Sequence, residues 1–594
     1  MKPVRMFDTE VYSNYFLCAF RDIGTGVVSN FELFDGHPFD VEAVRRIIRA
    51  STIVGFNSMN FDLPLLSMSL SGADNAKIKA ACDAIIQNNM RSFSLERRFN
   101  FKTLTYADHI DLIDIAPGMA SLKIYGGRMH CPRMQDLPIE PSASIAPSDR
   151  ALLREYCAND LAVTEMLYRK LLPQIQLREQ MGEQYAMELR SKSDAQIAEL
   201  VIKAGVMSIT GDVVERPTIT PGTSFGFRAP AYITFADDAL RDVLARVQAS
   251  RFVIADTGKV IEPEWMKELE IRIGAGVYTM GIGGLHSTES SVAHHADADT
   301  VLLDRDVASY YPNIILSQGL RPRHMGAAFT KVYREVVRRR LDAKHSGDKV
   351  TDATLKIVIN GSYGKFGSKW SILYSPDLLI QTTLTGQFAL LMLIEQIELA
   401  GIPVVSANTD GIVIKCPRER MPALESIVFE WETLTGFETE ETRYSHLYSK
   451  DVNNFVAIKP DGTHKAKGVY APGGLAKTPS NSVCVEAVIA HLKHGTPVED
   501  TVHGCWDITK FVTVRAVKGG ALDQAGKYLG KAVRFYKAAG LAGTLTYKIN
   551  GYTVPRTDGA RALMDLPKEF PADVDLDWYV GEANAILNHI GANT

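Results

Sequence analysis

Three short segments in the second half of the chain carry residue types that could together move a phosphoryl group. Asp306 opens Asp306-Val307-Ala308-Ser309-Tyr310-Tyr311-Pro312, just after the apolar Val301-Leu302-Leu303. Lys356, Asn360, Tyr363 and Gly364 follow at helical spacing, and Asp410 sits in Asn408-Thr409-Asp410-Gly411 inside the apolar run Pro403 to Ile414. The patterns predict a carboxylate on a strand, then a helix with a cation and an aromatic on one stripe, then a second carboxylate at a strand–turn–strand. Two carboxylates gripping two Mg²⁺ ions, with a lysine on the triphosphate, are what transfer from a nucleoside triphosphate requires. Taken singly, each segment has a plain reading. A lone Asp after an apolar run is usually a strand-end cap, and Asn-x-Asp-Gly is an ordinary hairpin turn. Their occurrence together argues for chemistry.

The first half carries a second constellation: Phe7-Asp8-Thr9-Glu10, then Asn57-Ser58-Met59-Asn60-Phe61-Asp62, then Tyr156-Cys157-Ala158-Asn159-Asp160. Asp8 and Glu10 are two apart on a predicted strand and share a face. Tyr156 and Asp160 are four apart on a predicted helix and share a face there. Four gathered carboxylates could bind two hard cations and activate a water against a phosphodiester. One Asp-x-Glu alone has little specificity, since a surface strand gives the same pattern. His109 and His130 invite metal hypotheses, but a lone His is more often a hydrogen-bonded structural residue, and neither is given a role.

In their order, the three later segments resemble motifs A, B and C of family B DNA polymerases, of a phage type. The three earlier ones resemble the motifs of DnaQ-like 3′–5′ exonucleases. The resemblance implies an α/β multidomain chain, with an RNase H-like exonuclease domain followed by a right-hand polymerase of palm, fingers and thumb. It implies metal ligands at Asp306, Val307 and Asp410 in one site and at Asp8, Glu10, Asp62 and Asp160 in the other. Each site would hold two Mg²⁺, with Mn²⁺ as a substitute, and Tyr156 would orient the attacking water. Arg340, Lys344, Lys356, Asn360, Tyr310 and Tyr311 would bind the nucleotide, with Tyr311 excluding a 2′-hydroxyl. Asn57, Phe61, Tyr363, Gly364, Lys465, Lys467 and Tyr470 would meet DNA. The partners implied are primer–template DNA and dNTPs, with a helicase, clamp or single-strand-binding protein as assistants. The chain would act as a monomer in the cytoplasm of a host bacterium and engage no membrane. Departures from the family pattern are Asn408 for the first Asp of Asp-Thr-Asp-Ser, Gln387 where many relatives have Arg, and Gly281 in Gly281-Ile282-Gly283-Gly284, where some phage enzymes have Tyr-x-Gly-Gly. Two other classes stay open at this point. One is a stand-alone exonuclease with a degenerate second half. The other is a non-enzymatic scaffold.

Composition sets the bounds. The 594 residues call for several domains, and a net charge of −4 carries no global basic signature. Local charge does: Lys331 to Lys349 and Lys510 to Lys548 are basic, as a groove tracking a phosphate backbone would need. Seven scattered cysteines without a Cys-x-x-Cys pair fit a reducing compartment and no zinc site. With a candidate ligand already at Asp8, no signal peptide is expected. The apolar run Phe388 to Ile394 is expected to fall short of a membrane span.

The organisation expected is an exonuclease domain over 1–190, palm over 191–330 and 367–470, a fingers helical hairpin over 331–366, and a thumb region over 471–594. Helices are expected at about Lys331 to Lys344 and Asp352 to Tyr363, with Ser346-Gly347-Asp348 as the turn. Protein-primed phage polymerases of the family this chain resembles carry an insertion in each interval between the later motifs, and neither interval here has room for one. The resemblance therefore implies extension from a nucleic-acid primer, with low processivity.

Overall fold

The strand expected around Asp8 is Val4–Tyr12 (β1), and a computed structural model of the chain, describing residues 2–540 and 543–592, makes it the middle strand of a five-stranded sheet. The others are Tyr15–Asp22 (β2), Val28–Leu33 (β3), Thr52–Gly55 (β4) and Asp108–Asp111 (β5), in the order β3-β2-β1-β4-β5. β1 to β3 form an antiparallel meander, while β4 runs parallel to β1 and β5 parallel to β4. Every residue of β4 is buried, as a strand covered on both faces requires. Period two divides β1 between two cores. Met6 and Tyr12 join Cys157, Leu161 and Leu167, whereas Phe7 joins Leu63, Leu66 and Ile78. Asp8 and Glu10 have the parity of Met6, so they leave β1 on the side of the helix that carries Cys157.

That helix is one of three that matter here: Asp62–Leu70 (α1), Leu122–Arg128 (α2) and Arg150–Tyr185 (α3). All belong to the first of two units, which comprises Met1–Lys192, Gly473–Cys484 and Val502–Val580. The second unit comprises Ser193–Pro472, Val485–Thr501 and Gly581–Thr594. This division differs from the expected boundaries, because the region expected as a thumb over 471–594 does not form a body of its own. Its antiparallel pair Thr513–Leu522 and Tyr528–Lys537 puts Val514 and Ala532 into a core with Ile124, Met134 and Val163. Arg534, counted among the basic residues of that stretch, is fully buried and donates to the carbonyls of Cys131, Leu563 and Met564. A buried guanidinium satisfied by carbonyls is an internal brace, not a phosphate contact.

The second unit is built on a seven-stranded sheet. Its strands are Ile271–Ile273 (β6), Gly276–Thr279 (β7), His286–Ser287 (β8), Thr300–Val307 (β9), Val404–Asn408 (β10), Gly411–Pro417 (β11) and Thr439–Tyr444 (β12), in the order β12-β9-β11-β10-β8-β7-β6. Its helices include Asp194–Thr210 (α4), Tyr310–Ser317 (α5), Gly326–Ser346 (α6), Lys349–Lys365 (α7) and Pro376–Leu399 (α8). The expected helical hairpin is α6–α7, turned at Gly347 with φ 76°. Helix α4 packs against both, which local patterns did not indicate. A Cβ at Gly205 would stand 2.8 Å from Val332, and one at Gly361 would stand 2.8 Å from the carbonyl of Asp194, so both glycines permit the close approach.

Helix α8 starts earlier than the apolar run suggested, with Pro376 in its first turn, where a missing N–H is harmless. By length and composition it could cross a membrane, which corrects the expectation of a run too short to do so. In this chain 83% of its most apolar window is buried, with Phe388, Leu391 and Ile394 in one core with Leu303, Ile412 and Ile414.

Candidate active sites

In the first unit, β1, α1 and α3 bring the four expected carboxylates together. A carboxylate oxygen of Asp8, one of Glu10 and the thiol of Cys157 all lie within 4.8 Å of one another. Asp62 sits beside β1, its Oδ1 accepting the Thr9 N–H at 3.0 Å and the Thr9 hydroxyl at 2.6 Å. Asp160 and Tyr156 present the same face of α3, and both are buried. Burial and mutual repulsion hold these carboxyls high. Asp8 is raised by burial, then by Asp62, Glu10 and Asp160. Glu10 is raised by burial and by Asp160, and burial chiefly pushes Asp62 up to about 7. Such a donor set fits a hard divalent cation, whose charge would relieve the repulsion.

Two residues of this site escaped the sequence reading. The Lys123 ammonium pairs with Asp160 and lies 4.3 Å from the Tyr156 ring centroid. Nothing in its neighbours marks it, except that Ser121 caps the short helix α2 that aims it. Asp111, at the end of β5, accepts the backbone N–H groups of Asn57 and Met59, each at 2.8 Å. This holds Asn57 in the left-handed region at φ 59°. Phe61 is half-buried just before α1. His109 behaves as expected, its Nε2 bonded to the Ser58 hydroxyl at 2.8 Å.

In the second unit, antiparallel pairing sets the carboxylates. Asp306 on β9 is the register partner of Gly411 on β11, and Asp410 precedes Gly411 at the β10–β11 turn. The Val307 N–H donates to the carbonyl of Asp410 at 2.7 Å, tying the two segments at the site itself. Asp306 is open to solvent at one edge, yet the protein around it, then Asp410 and a third carboxylate, Asp304, push it up to about 6. Asp410 is likewise exposed at the turn, yet desolvation by the surrounding protein raises it, against the opposing pull of Lys467 and Lys465. Asn408 accepts the Thr409 hydroxyl at 3.1 Å and adds no charge. The carboxylates of Asp306 and Asp410 can hold divalent cations, and the backbone there also offers carbonyl oxygens.

The turn bearing Asp410 is held from below by the Gly281–Gly284 loop. Thr409, at φ 42°, donates its N–H to the carbonyl of Leu285 at 2.8 Å. A Cβ at Gly284 would stand 2.2 Å from Thr409 Oγ1 and 3.1 Å from its Cα. The Gln387 amide donates to the carbonyls of Gly281 and Gly283 at 2.8 and 2.6 Å. Gln387 therefore fixes the loop that supports the turn.

Beside the carboxylates, Tyr311 stacks on Tyr363 with ring centroids 4.1 Å apart. Along α7, Lys356, Asn360 and Gly364 are exposed on one face, and Gly364 has open space around its missing Cβ. Arg340 donates to the Ser309 hydroxyl at 3.2 Å and to Asp352 at 3.1 Å, while Lys344 pairs with Glu440. Two expected contacts lie deeper than the surface. Tyr310 is 3% exposed and donates its hydroxyl to the Gly386 carbonyl at 2.6 Å, so it supports Tyr311 from beneath. Tyr470 is likewise 3% exposed. Lys465 and Lys467 are exposed along the same cleft as Asp306 and Asp410.

No family model matches the chain. DNA polymerase 1 of Sulfolobus acidocaldarius and that of Saccharolobus solfataricus are each 25% identical to it over 123 residues. DNA polymerase 1 of Sulfurisphaera ohwakuensis is 26% identical over 124 residues. Each match covers 20% of this chain and only 14% of the relative. A solved family B DNA polymerase from the hyperthermophilic archaeon Pyrobaculum calidifontis aligns over 99% of this chain and 78% of its own, with 15% identity and a TM-score of 0.42.

Proposed function

We propose that this chain is a DNA-directed DNA polymerase of the family B, phage type that adds dNTPs to a primer 3′-hydroxyl and carries a proofreading 3′–5′ exonuclease. The observation that carries the reading is the convergence in the second unit. The Asp306–Gly411 pairing sets two carboxylates side by side, and the Tyr311–Tyr363 stack joins them to the helix face bearing Lys356. Two divalent cations bound at such carboxylates would polarise the attacking hydroxyl and the α-phosphate. Lys356 faces open solvent, where a triphosphate would lie. Tyr311 is braced by Tyr363 on one side and underlain by Tyr310, so its ring can exclude a 2′-hydroxyl. Lys465 and Lys467 line the same cleft as the carboxylates, where they would meet the primer end. In the first unit the sheet order and the clustering of Asp8, Glu10, Asp62 and Asp160 support an RNase H-like nuclease, with Tyr156 and Lys123 beside the scissile phosphate.

Primer extension on a defined template, with Mg²⁺ and the four dNTPs, tests this. Template-directed products with concurrent 3′–5′ degradation are expected. Degradation without incorporation would leave a nuclease alone, and neither activity would leave a scaffold.

A further inference from the structure

Asp304 stands two residues before Asp306 on β9, so both side chains leave the same face of the strand. It lines one cleft with Asp306, Asn408, Asp410, Lys465 and Lys467. Its Oδ2 accepts the Tyr444 hydroxyl at 2.5 Å and lies 3.3 Å from the Lys465 ammonium. Tyr444 is 2% exposed and belongs to β12, which pairs with β9, so it fixes the carboxylate rigidly. The Asp304 side chain is only 13% exposed, against 52% for Lys465.

A carboxylate is a costly choice at this position. Asp306 and Asp410 already set two like charges in the cleft, and a third adds to their mutual repulsion. A neutral Asn would accept the Tyr444 hydroxyl equally well. The charge at 304 needs a cation to account for it, and Lys465 is the cation in contact. Lys465 also lies on the edge strand His464–Ala466, whose pairing with Asn454–Ile458 fixes its backbone but not the end of its long side chain.

Resting on the polymerase reading above, we propose that Asp304 is a positioning residue, holding the Lys465 ammonium in place over the carboxylate pair before the primer end arrives. A lysine ordered in advance loses no rotamer freedom on binding, so the benefit falls on primer engagement and insertion.

The test is a double-mutant cycle on the full chain, with the nuclease silenced by Asp8→Ala and Glu10→Ala. Asp304→Asn keeps the tyrosine bond and removes the charge, whereas Lys465→Ala removes the cation. Single-nucleotide insertion and primer–template affinity are measured with Mg²⁺. Each single variant is expected to lose about tenfold in insertion rate, with the dNTP KM within about twofold of the parent. The double variant is expected to be no worse than Lys465→Ala alone, and Asp304→Glu to recover part of the loss. A purely structural role would instead lower the melting temperature and leave the two losses additive. Additive losses, or full insertion by Asp304→Asn, overturn the proposal while the polymerase reading stands. A parent that inserts nothing overturns both.

Discussion

Gly284→Ala isolates how the Asp410 turn is supported. Gly284 lies outside the left-handed region, so alanine suits its backbone and only the added carbon matters. That carbon would stand 3.1 Å from Thr409 Cα and 2.9 Å from Thr409 Cβ. Carbon atoms settle about 3.8 Å apart, so the turn must yield by roughly 0.7 Å at Thr409 Cα and roughly 0.9 Å at Thr409 Cβ. It cannot yield freely, because the Thr409 N–H is bonded to Leu285 and the Asp410 carbonyl to Val307. Nor can the loop retreat easily, since Gln387 holds both Gly281 and Gly283. Overpacking of this kind costs about 1–3 kcal/mol, and a displacement near 1 Å at a reacting group costs on the order of a hundredfold in rate. The expected result is a loss of between about tenfold and a hundredfold in single-nucleotide insertion. Degradation of single strands should be unchanged, because the carboxylates proposed for it lie in the other unit. The assay is rapid-quench insertion with saturating primer–template, beside nuclease activity and a thermal melt. Insertion within about threefold of the parent, in a folded protein, would refute the argument that this glycine holds the turn.

Further outcomes follow from the two sites. Asp306→Ala or Asp410→Ala should abolish primer extension and spare degradation, while Asp8→Ala with Glu10→Ala should do the reverse; loss of both activities from one variant would sink the two-site assignment. Tyr311→Ala should raise ribonucleotide incorporation relative to dNTP, measured as a ratio of insertion efficiencies, and an unchanged ratio would assign the 2′-hydroxyl gate to another residue. The raised Asp62 carboxyl gives a pH dependence of stability without metal. Between the ordinary carboxylate range and about 7 the folded chain holds a proton that the unfolded chain releases, so stability falls as pH rises through that window. Calorimetry in chelator should therefore find a lower melting temperature at pH 8 than at pH 5, with Asp62→Asn raising it only at pH 8; a pH-independent melt would contradict the coupling described.

What the sequence determined by itself was local. Period two placed Asp8 and Glu10 on one face of β1, helical spacing placed Lys356, Asn360, Tyr363 and Gly364 on one stripe, and Gly347 ended the first arm of the α6–α7 hairpin. These patterns are legible because the backbone repeats within a few residues. The partners across space were not. Lys123 reaches Asp160, Asp304 holds Lys465, Gly284 underlies Thr409, and Arg534 braces Cys131 from far along the chain. No periodicity links such positions, since burial and strand register decide which distant side chains meet. The same reason explains why the strands at 513–537 joined the first unit: Val514 and Ala532 found their apolar partners in Ile124 and Val163, a match that exists only once the chain has folded.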